Sequence, residues 1–184
     1  MAKAEKNEWF PMRVTYNREQ KMKKCLDECG VENFLPMRYE YEKSESFSIK
    51  RKLIPAVHGL IFVHSPRKRL TELKRSTPAL EPLRYMTNHF ATNFTNQILT
   101  VPDRQMENFM GVVNTNLEKI EYLDQTAYLL RPGKRVRITD GEFKGYEGVI
   151  KRFKKRQQVV VQIKGLVAVA ITFVPRAWLE EIGD

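Results

Sequence analysis

Gly133-Lys134-Arg135-Val136-Arg137-Ile138-Thr139-Asp140-Gly141-Glu142-Phe143-Lys144-Gly145-Tyr146-Glu147-Gly148-Val149-Ile150 alternates apolar and basic residues through Val136 and Ile138. It breaks at Asp140-Gly141 and turns apolar again at Val149 and Ile150. Period-two alternation on both sides of a glycine-rich break predicts two half-buried strands joined by a tight loop. The same character continues downstream, with strands expected over Lys134–Ile138, Tyr146–Phe153, Gln157–Ile163 and Ala168–Val174 and a closing segment near Trp178. Short strands at this spacing make a small barrel. Val159-Val160-Val161 and Val167 to Val174 are strong strand formers, so the barrel is expected to stay β rather than refold into helices.

Upstream, the period changes from element to element. Trp9 to Tyr16 is aromatic and β-branched and reads as a strand, with Pro11 favouring an edge or a bulge. Met22, Cys25, Leu26 and Cys29 recur at i, i+3, i+4 and i+7, the apolar stripe of a helix over Arg18 to Cys29 that Gly30 ends. Val31 to Glu42 is extended, and the polar Lys43 to Lys52 is a hairpin tip or loop. Leu53 to His64 reads as one central strand covered on both faces. Ser65-Pro66 caps a basic helix over Arg67 to Arg75. Leu83 to Met86 is a short strand and His89 to Gln97 a loop. Pro102-Asp103 opens a last helix with Met106, Phe109, Met110 and Val113 on one stripe. The order implies helices packed on a mostly antiparallel sheet, and the fold class is α+β. The expected domains are residues 1–115, a linker over 116–129 and a barrel over 130–184.

The chain has 184 residues, 42% of them apolar, and a formal charge of +10. That is enough for a packed core, and the charge favours polyanionic partners. The basic excess is denser in the C-terminal third. Residues 1–8 mix Lys and Glu with no apolar stretch, so no signal peptide is read there. The longest apolar run, Gly165 to Val174, is shorter than the roughly 20 residues a membrane-spanning helix needs. A monomeric, cytoplasmic protein with no membrane association is expected.

The hairpin at 133–150 resembles a KOW motif. Together with the Trp9-Phe10 strand, the helix carrying Glu19 and the strand beginning at Gly59, it makes nearly the whole chain resemble the NusG family of transcription elongation factors. The run Leu99-Thr100-Val101-Pro102-Asp103-Arg104-Gln105-Met106-Glu107-Asn108-Phe109 is similar to the UpxY-type paralogues of Bacteroides-like bacteria, which act in antitermination of capsular polysaccharide operons. The resemblance implies a NusG-like N-terminal domain that grips the clamp helices of RNA polymerase. It also implies a KOW (SH3-like) barrel that recruits a ribosomal protein or termination factor. His58 before Gly59, where general members tend to have proline, and Leu60 in place of the usual aromatic favour a specialised paralogue. A general elongation factor and an RNA-binding, ribosome-associated KOW protein are the competing readings.

On the family's pattern, the polymerase groove falls on Phe10, Met12, Leu60 and Phe62 with Tyr16 and Tyr85 at its margin, and a second polymerase contact falls on Arg67, Lys68 and Arg69. Each aromatic has the alternative of an ordinary core position. Arg13, Arg18, Lys21 and Lys24 are candidates for upstream DNA or nascent RNA, through phosphate contacts that read no bases, or are simply solvated surface. In the barrel, Phe143, Lys144, Tyr146, Lys151, Arg152, Phe153, Lys154, Lys155 and Arg156 are candidates for RNA or a protein partner. The alternative for them is a core phenylalanine and a basic tip that blunts a sheet edge.

No catalytic constellation emerges, and no cofactor or metal is expected. His58, His64 and His89 share no motif with a nucleophile, and Cys25 and Cys29 complete a helix stripe. The glycine spacing belongs to a β loop and not to a phosphate-binding turn.

Overall fold

A computed structural model describes residues 6–43, 49–88, 97–123, 133–153 and 156–183. The chain divides into two compact units, residues 1–103 and 104–184.

The first unit is built on a four-stranded antiparallel sheet of order β2-β5-β1-β6, from β1 (Glu8–Val14), β2 (Glu32–Phe34), β5 (Leu60–Ser65) and β6 (Leu83–Tyr85). Two helices, α1 (Glu19–Glu28) and α2 (Arg67–Ser76), bring Met22, Leu26 and Leu70 into one core cluster with Phe10, Met12, Val14, Ile61 and Val63. The end of α1 follows from its sequence. Gly30 N–H bonds to Asp27 O at 3.0 Å and Val31 N–H to Leu26 O at 2.9 Å. This is a Schellman motif, completed by the shared burial of Val31 and Leu26.

Several local expectations are corrected. Leu53 to His64 is not one strand. Ile49–Pro55 forms β4, which among the described residues pairs with β3 (Met37–Lys43) alone, and β5 begins afresh at Leu60. The division comes at Gly59, whose φ of +70° is open to glycine and strained for other residues. Pro11 is in an interior strand opposite Phe62, and its missing N–H faces a stretch that β6, starting at Met12, does not reach. Ser65 does not cap α2, because its hydroxyl donates to Pro66 O at 3.3 Å. The loop expected over 89–97 lies outside the described residues up to Asn96. At its borders the short strands β7 (Thr87–Asn88) and β8 (Gln97–Ile98) pair with each other.

The second unit carries α3 (Asp103–Thr115, from Arg104 on) and a six-stranded antiparallel sheet of order β14-β10-β11-β12-β13-β9. Its strands are β9 (Ile120–Tyr122), β10 (Arg135–Ile138), β11 (Glu147–Phe153), β12 (Arg156–Ile163), β13 (Val167–Ile171) and β14 (Leu179–Glu181). The four strands expected in this region form, and the quoted hairpin sets Arg135 opposite Val149 and Arg137 opposite Glu147. Gly148 is fixed by close approach: a Cβ there would come within 2.6 Å of Val159 Cγ1 and 2.8 Å of Val160 O. Within the stretch expected as a linker, residues 124–129 are outside the described residues. Ile120–Tyr122 of that stretch is β9, zipped to Val169–Ile171.

One polar contact ties helix to sheet in the first unit. The Glu19 carboxylate, 3% exposed, accepts the Gly59 N–H at 2.5 Å, and Gly59 O in turn accepts the Val14 N–H at 2.9 Å. Replacing Glu19 by Ala is expected to cost about 1–2 kcal/mol, because the part-buried Gly59 donor loses its acceptor. Glu19→Gln keeps an acceptor and should lose less. Urea unfolding of the three proteins checks the order.

Candidate functional site

Strand alternation decides which expected contact residues reach the surface. Phe10 and Met12 point to the α1–α2 side, where they are 1% and 0% exposed within the core cluster. Burial removes both from any surface of the folded unit. Register places Leu60 opposite Arg13 and Phe62 opposite Pro11, so these side chains share the other face of the sheet. Leu60 and Phe62 are buried there too, at 4% and 0%. Tyr85 is half-buried between α2 and the sheet, edge-on to Phe10 at 5.5 Å, with its hydroxyl 3.1 Å from Thr71 Oγ1. Burial pushes its phenol pKa up.

Tyr16 differs from the other five: it is 79% exposed. It and Asn17 hold consecutive left-handed conformations, φ 64° and 50°; asparagine adopts that region readily, whereas for tyrosine it costs about 1–2 kcal/mol. Arg18 lies over the Tyr16 ring at 5.4 Å. The strained turn therefore presents an aromatic ring and a guanidinium side by side. Arg13 is exposed on the sheet face opposite the core cluster, whereas Lys21 and Lys24 are exposed on α1. Lys24 is 3.9 Å from Glu28. The four basic candidates thus do not form one patch. Arg67, Lys68 and Arg69 are all exposed on the first turn of α2, and Arg69 reaches Gly30 O at 3.4 Å.

In the barrel unit, Phe143 is buried at 4% and so is Lys151 at 7%, so neither offers an open surface. Lys144 and Arg152 are exposed. The side chains of Phe153 and Arg156, and the whole of Lys154 and Lys155, lie outside the described residues. Tyr146 is half-buried with its ring against Gly111 of α3. A cavity of about 290 Å³ opens beside the loop, lined by Ile138, Phe143, Val174 and Trp178, with the Lys119–Glu142 ion pair in its polar lining. Phe173, also lining it, is 78% exposed. The lysine bond holds the Glu142 carboxyl below its usual range, with Asn116 adding to the effect. Sequence reasoning placed contacts on Phe143 but missed Phe173 and Trp178, which lie in the connection between β13 and β14 and carry no motif.

Sequence reasoning also missed the joint between α3 and the strands. The Asn108 side-chain amide donates to Glu147 O and accepts the Glu147 N–H, both at 2.8 Å. Gln105, one turn earlier, donates to Gln162 O at 3.1 Å. The ladder between β11 and β12 stops at Val149–Val160, so these amides satisfy backbone groups where the two strands part. The Glu147 carboxylate gathers guanidiniums from Arg137 at 2.8 Å, Arg104 at 2.9 Å and Arg135 at 3.5 Å. The Arg137 hydrogen bond is the largest cause that pulls its pKa down, against partial burial.

Among the described residues the histidines and cysteines make no centre with each other. His64 stacks on Trp9 at 4.7 Å and bonds Glu32 Oε2 at 2.6 Å. Cys25 and Cys29 are free thiols packed on the core cluster, and burial pushes Cys25 up. Among the described residues no group of three or more His, Cys, Asp or Glu could hold a metal ion. No helix among them is long and apolar enough to cross a membrane.

Comparison with protein families matches residues 7–110 to NusG, described as transcription termination factor nusG, and residues 132–164 to the KOW motif. The first match spans more than half of the chain, and the chain belongs to the NusG family. It is in general terms a transcription elongation or antitermination factor, in a family of transcription factors rather than enzymes. No curated protein matches it.

Asn108→Ala should speed hydrogen exchange at the Glu147 amide, and Asn108→Asp, which cannot donate to Glu147 O, should loosen the joint nearly as much. For Glu147 the folded-state pKa is depressed. Its contribution to stability is complete above the ordinary glutamate value of about 4.3 and is lost as pH falls through the lower folded value. Glu147→Gln should flatten that acid limb in urea unfolding followed from about pH 7 to pH 3.

Proposed function

We propose that this chain binds RNA polymerase through its N-terminal unit, keeps it in processive elongation, and acts as an antiterminator on particular operons, polysaccharide biosynthesis among them. The observation that carries the polymerase contact is the Tyr16 turn. A large aromatic ring held 79% exposed in a left-handed conformation is retained at a cost in stability, a pattern that accompanies binding surfaces. The exposed Arg67, Lys68 and Arg69 form the second contact, and charge there steers association more than it adds affinity. Leu60 and Phe62 join the contact only where their sheet face is open. Operon choice rests on the Leu99–Phe109 run and its likeness to UpxY-type paralogues.

The barrel supplies the second partner, a ribosomal protein or termination factor. The cavity beside Phe143, Phe173 and Trp178 suits an inserted apolar side chain better than the basic tip does. Nucleic acid is met along the way by exposed arginines such as Arg13 and Arg18. The protein works in the cytoplasm, where its polymerase is.

The test separates function from folding. Tyr16→Gly should raise stability by about 1 kcal/mol, since glycine adopts the turn without strain, and yet lower retention on immobilised core polymerase several-fold. Retention on ribosomes with no polymerase signal would overturn the reading in favour of a ribosome-associated protein. For operon choice, transcription is run on templates with different leaders. Readthrough confined to one leader is expected, and equal readthrough on all of them counts against specificity.

A further inference from the structure

The cavity beside the Asp140–Gly141 turn has aromatic walls and a carboxylate in its lining. Phe143, Phe173 and Trp178 supply the rings, and Ile138 and Val174 the aliphatic surface. Backbone bonds hold these walls in place. The Thr139 N–H donates to Trp178 O at 2.8 Å, and the Thr172 N–H to Lys119 O at 2.9 Å. The Trp178 ring packs so close to the turn that a Cβ on Gly141 would come within 2.5 Å of it. A volume of about 290 Å³ is at the lower limit for a drug-sized ligand or a cofactor, and it accommodates one long side chain. A site already formed in this way loses little entropy when it is filled.

Among the described residues, three charged ones line the cavity: Lys119, Asp140 and Glu142. Lys119 bonds one oxygen of Glu142, and the Asn116 amide donates to the other at 3.1 Å. That pair is neutral, and both of its acceptors are satisfied. Asp140 differs. Its Oδ1 accepts the Gly141 N–H at 2.8 Å, and its carboxylate makes no ion pair among the described residues. Lys144 and Arg176 are exposed in the flanking segments and are not part of the lining. In a chain of formal charge +10, an unpaired carboxylate beside aromatic surface selects a cation. Phe173 is 78% exposed, so its ring is open to the incoming group.

We propose that this cavity receives an arginine side chain of the barrel's protein partner. The apolar stem of the arginine fills the space between the rings, and its charged head meets Asp140. Arginine suits the site better than lysine. Its planar guanidinium stacks on aromatic rings, bonds a carboxylate through two N–H groups at once, and is more weakly hydrated than an ammonium. A phosphate is repelled by Asp140, so nucleic acid is not the occupant. The inference rests on the reading that the cavity receives the barrel's partner, and it names the group received.

The experiment titrates the full chain, labelled with nitrogen-15, with the peptide acetyl-Ala-Ala-X-Ala-Ala-amide, where X is arginine, lysine, citrulline or leucine. The chain has two tryptophans, so the Trp178 indole N–H reports the cavity and the buried Trp9 serves as internal control. The arginine peptide should move the Trp178 signal and leave Trp9 in place. Citrulline, neutral and of the same shape, should bind about tenfold more weakly, as expected for a lost charged hydrogen bond. Asp140→Asn retains an acceptor for the Gly141 N–H. It should reduce arginine binding to the citrulline level and leave leucine binding unchanged. Phe173→Ala should weaken arginine binding about threefold. Dispersion of the amide spectrum confirms folding of each variant. The proposal is overturned if lysine, citrulline or leucine binds as tightly as arginine, or if Asp140→Asn binds arginine like the parent. It is overturned equally if no peptide moves the Trp178 signal. Retention on ribosomes and on a termination factor is measured apart, with the parent and Phe173→Asp. Retention lost in Phe173→Asp without any arginine preference keeps the barrel reading and removes this inference. Arginine preference without retention does the reverse.

Discussion

The hydrogen bond from Gly59 N–H to the buried Glu19 carboxylate is the constraint on which the N-terminal unit depends. It joins the first turn of α1 to the turn before β5, two places forty residues apart in the sequence. It sits beside the Val14–Gly59 backbone bond that starts the β1–β5 ladder. Burial of the accepting side chain makes the loss of this bond costly. With that point fixed, Met22 and Leu26 are directed onto Phe10, Met12 and Ile61. The Tyr16 turn joins Val14 to the helix carrying Glu19, and its left-handed backbone is uncommon for Tyr16 and ordinary for Asn17.

The barrel unit uses a different device. Its sheet does not satisfy its own backbone where β11 and β12 separate, and side-chain amides of α3 complete the pairing. Around them a single glutamate balances three arginines. The apolar stripe Met106, Phe109 and Val113 lies on a different side of α3 from Asn108 and Gly111, as helical spacing requires, and all three are buried. α3 therefore carries both a polar edge that pairs like a strand and a buried apolar stripe.

Function, on this reading, is assigned by what stays out of the core. Of the six aromatic and aliphatic candidates for the polymerase groove, only Tyr16 stands clear of it. In the barrel, Phe173 and Trp178 form an accessible apolar surface, whereas the more conspicuous Phe143 and Lys151 are buried.

The sequence alone determined the elements whose signals are local. The α1 stripe with its glycine stop, the Gly133–Ile150 hairpin and the valine-rich strands after it are legible because period and turn chemistry are short-range properties. The α+β class and the family followed from them. The break of Leu53–His64 at Gly59 was not legible, since a ribbon strand and a sheet strand share the same apolar run. Nor was β9, whose three residues pair only because Val169 to Ile171 come alongside. Alternation sorts Phe10 and Met12 from Leu60 and Phe62 into two faces, but it says nothing about which face meets water. Elements distant in sequence decide that by covering one surface and leaving another bare, and so only the tertiary structure separates core from contact.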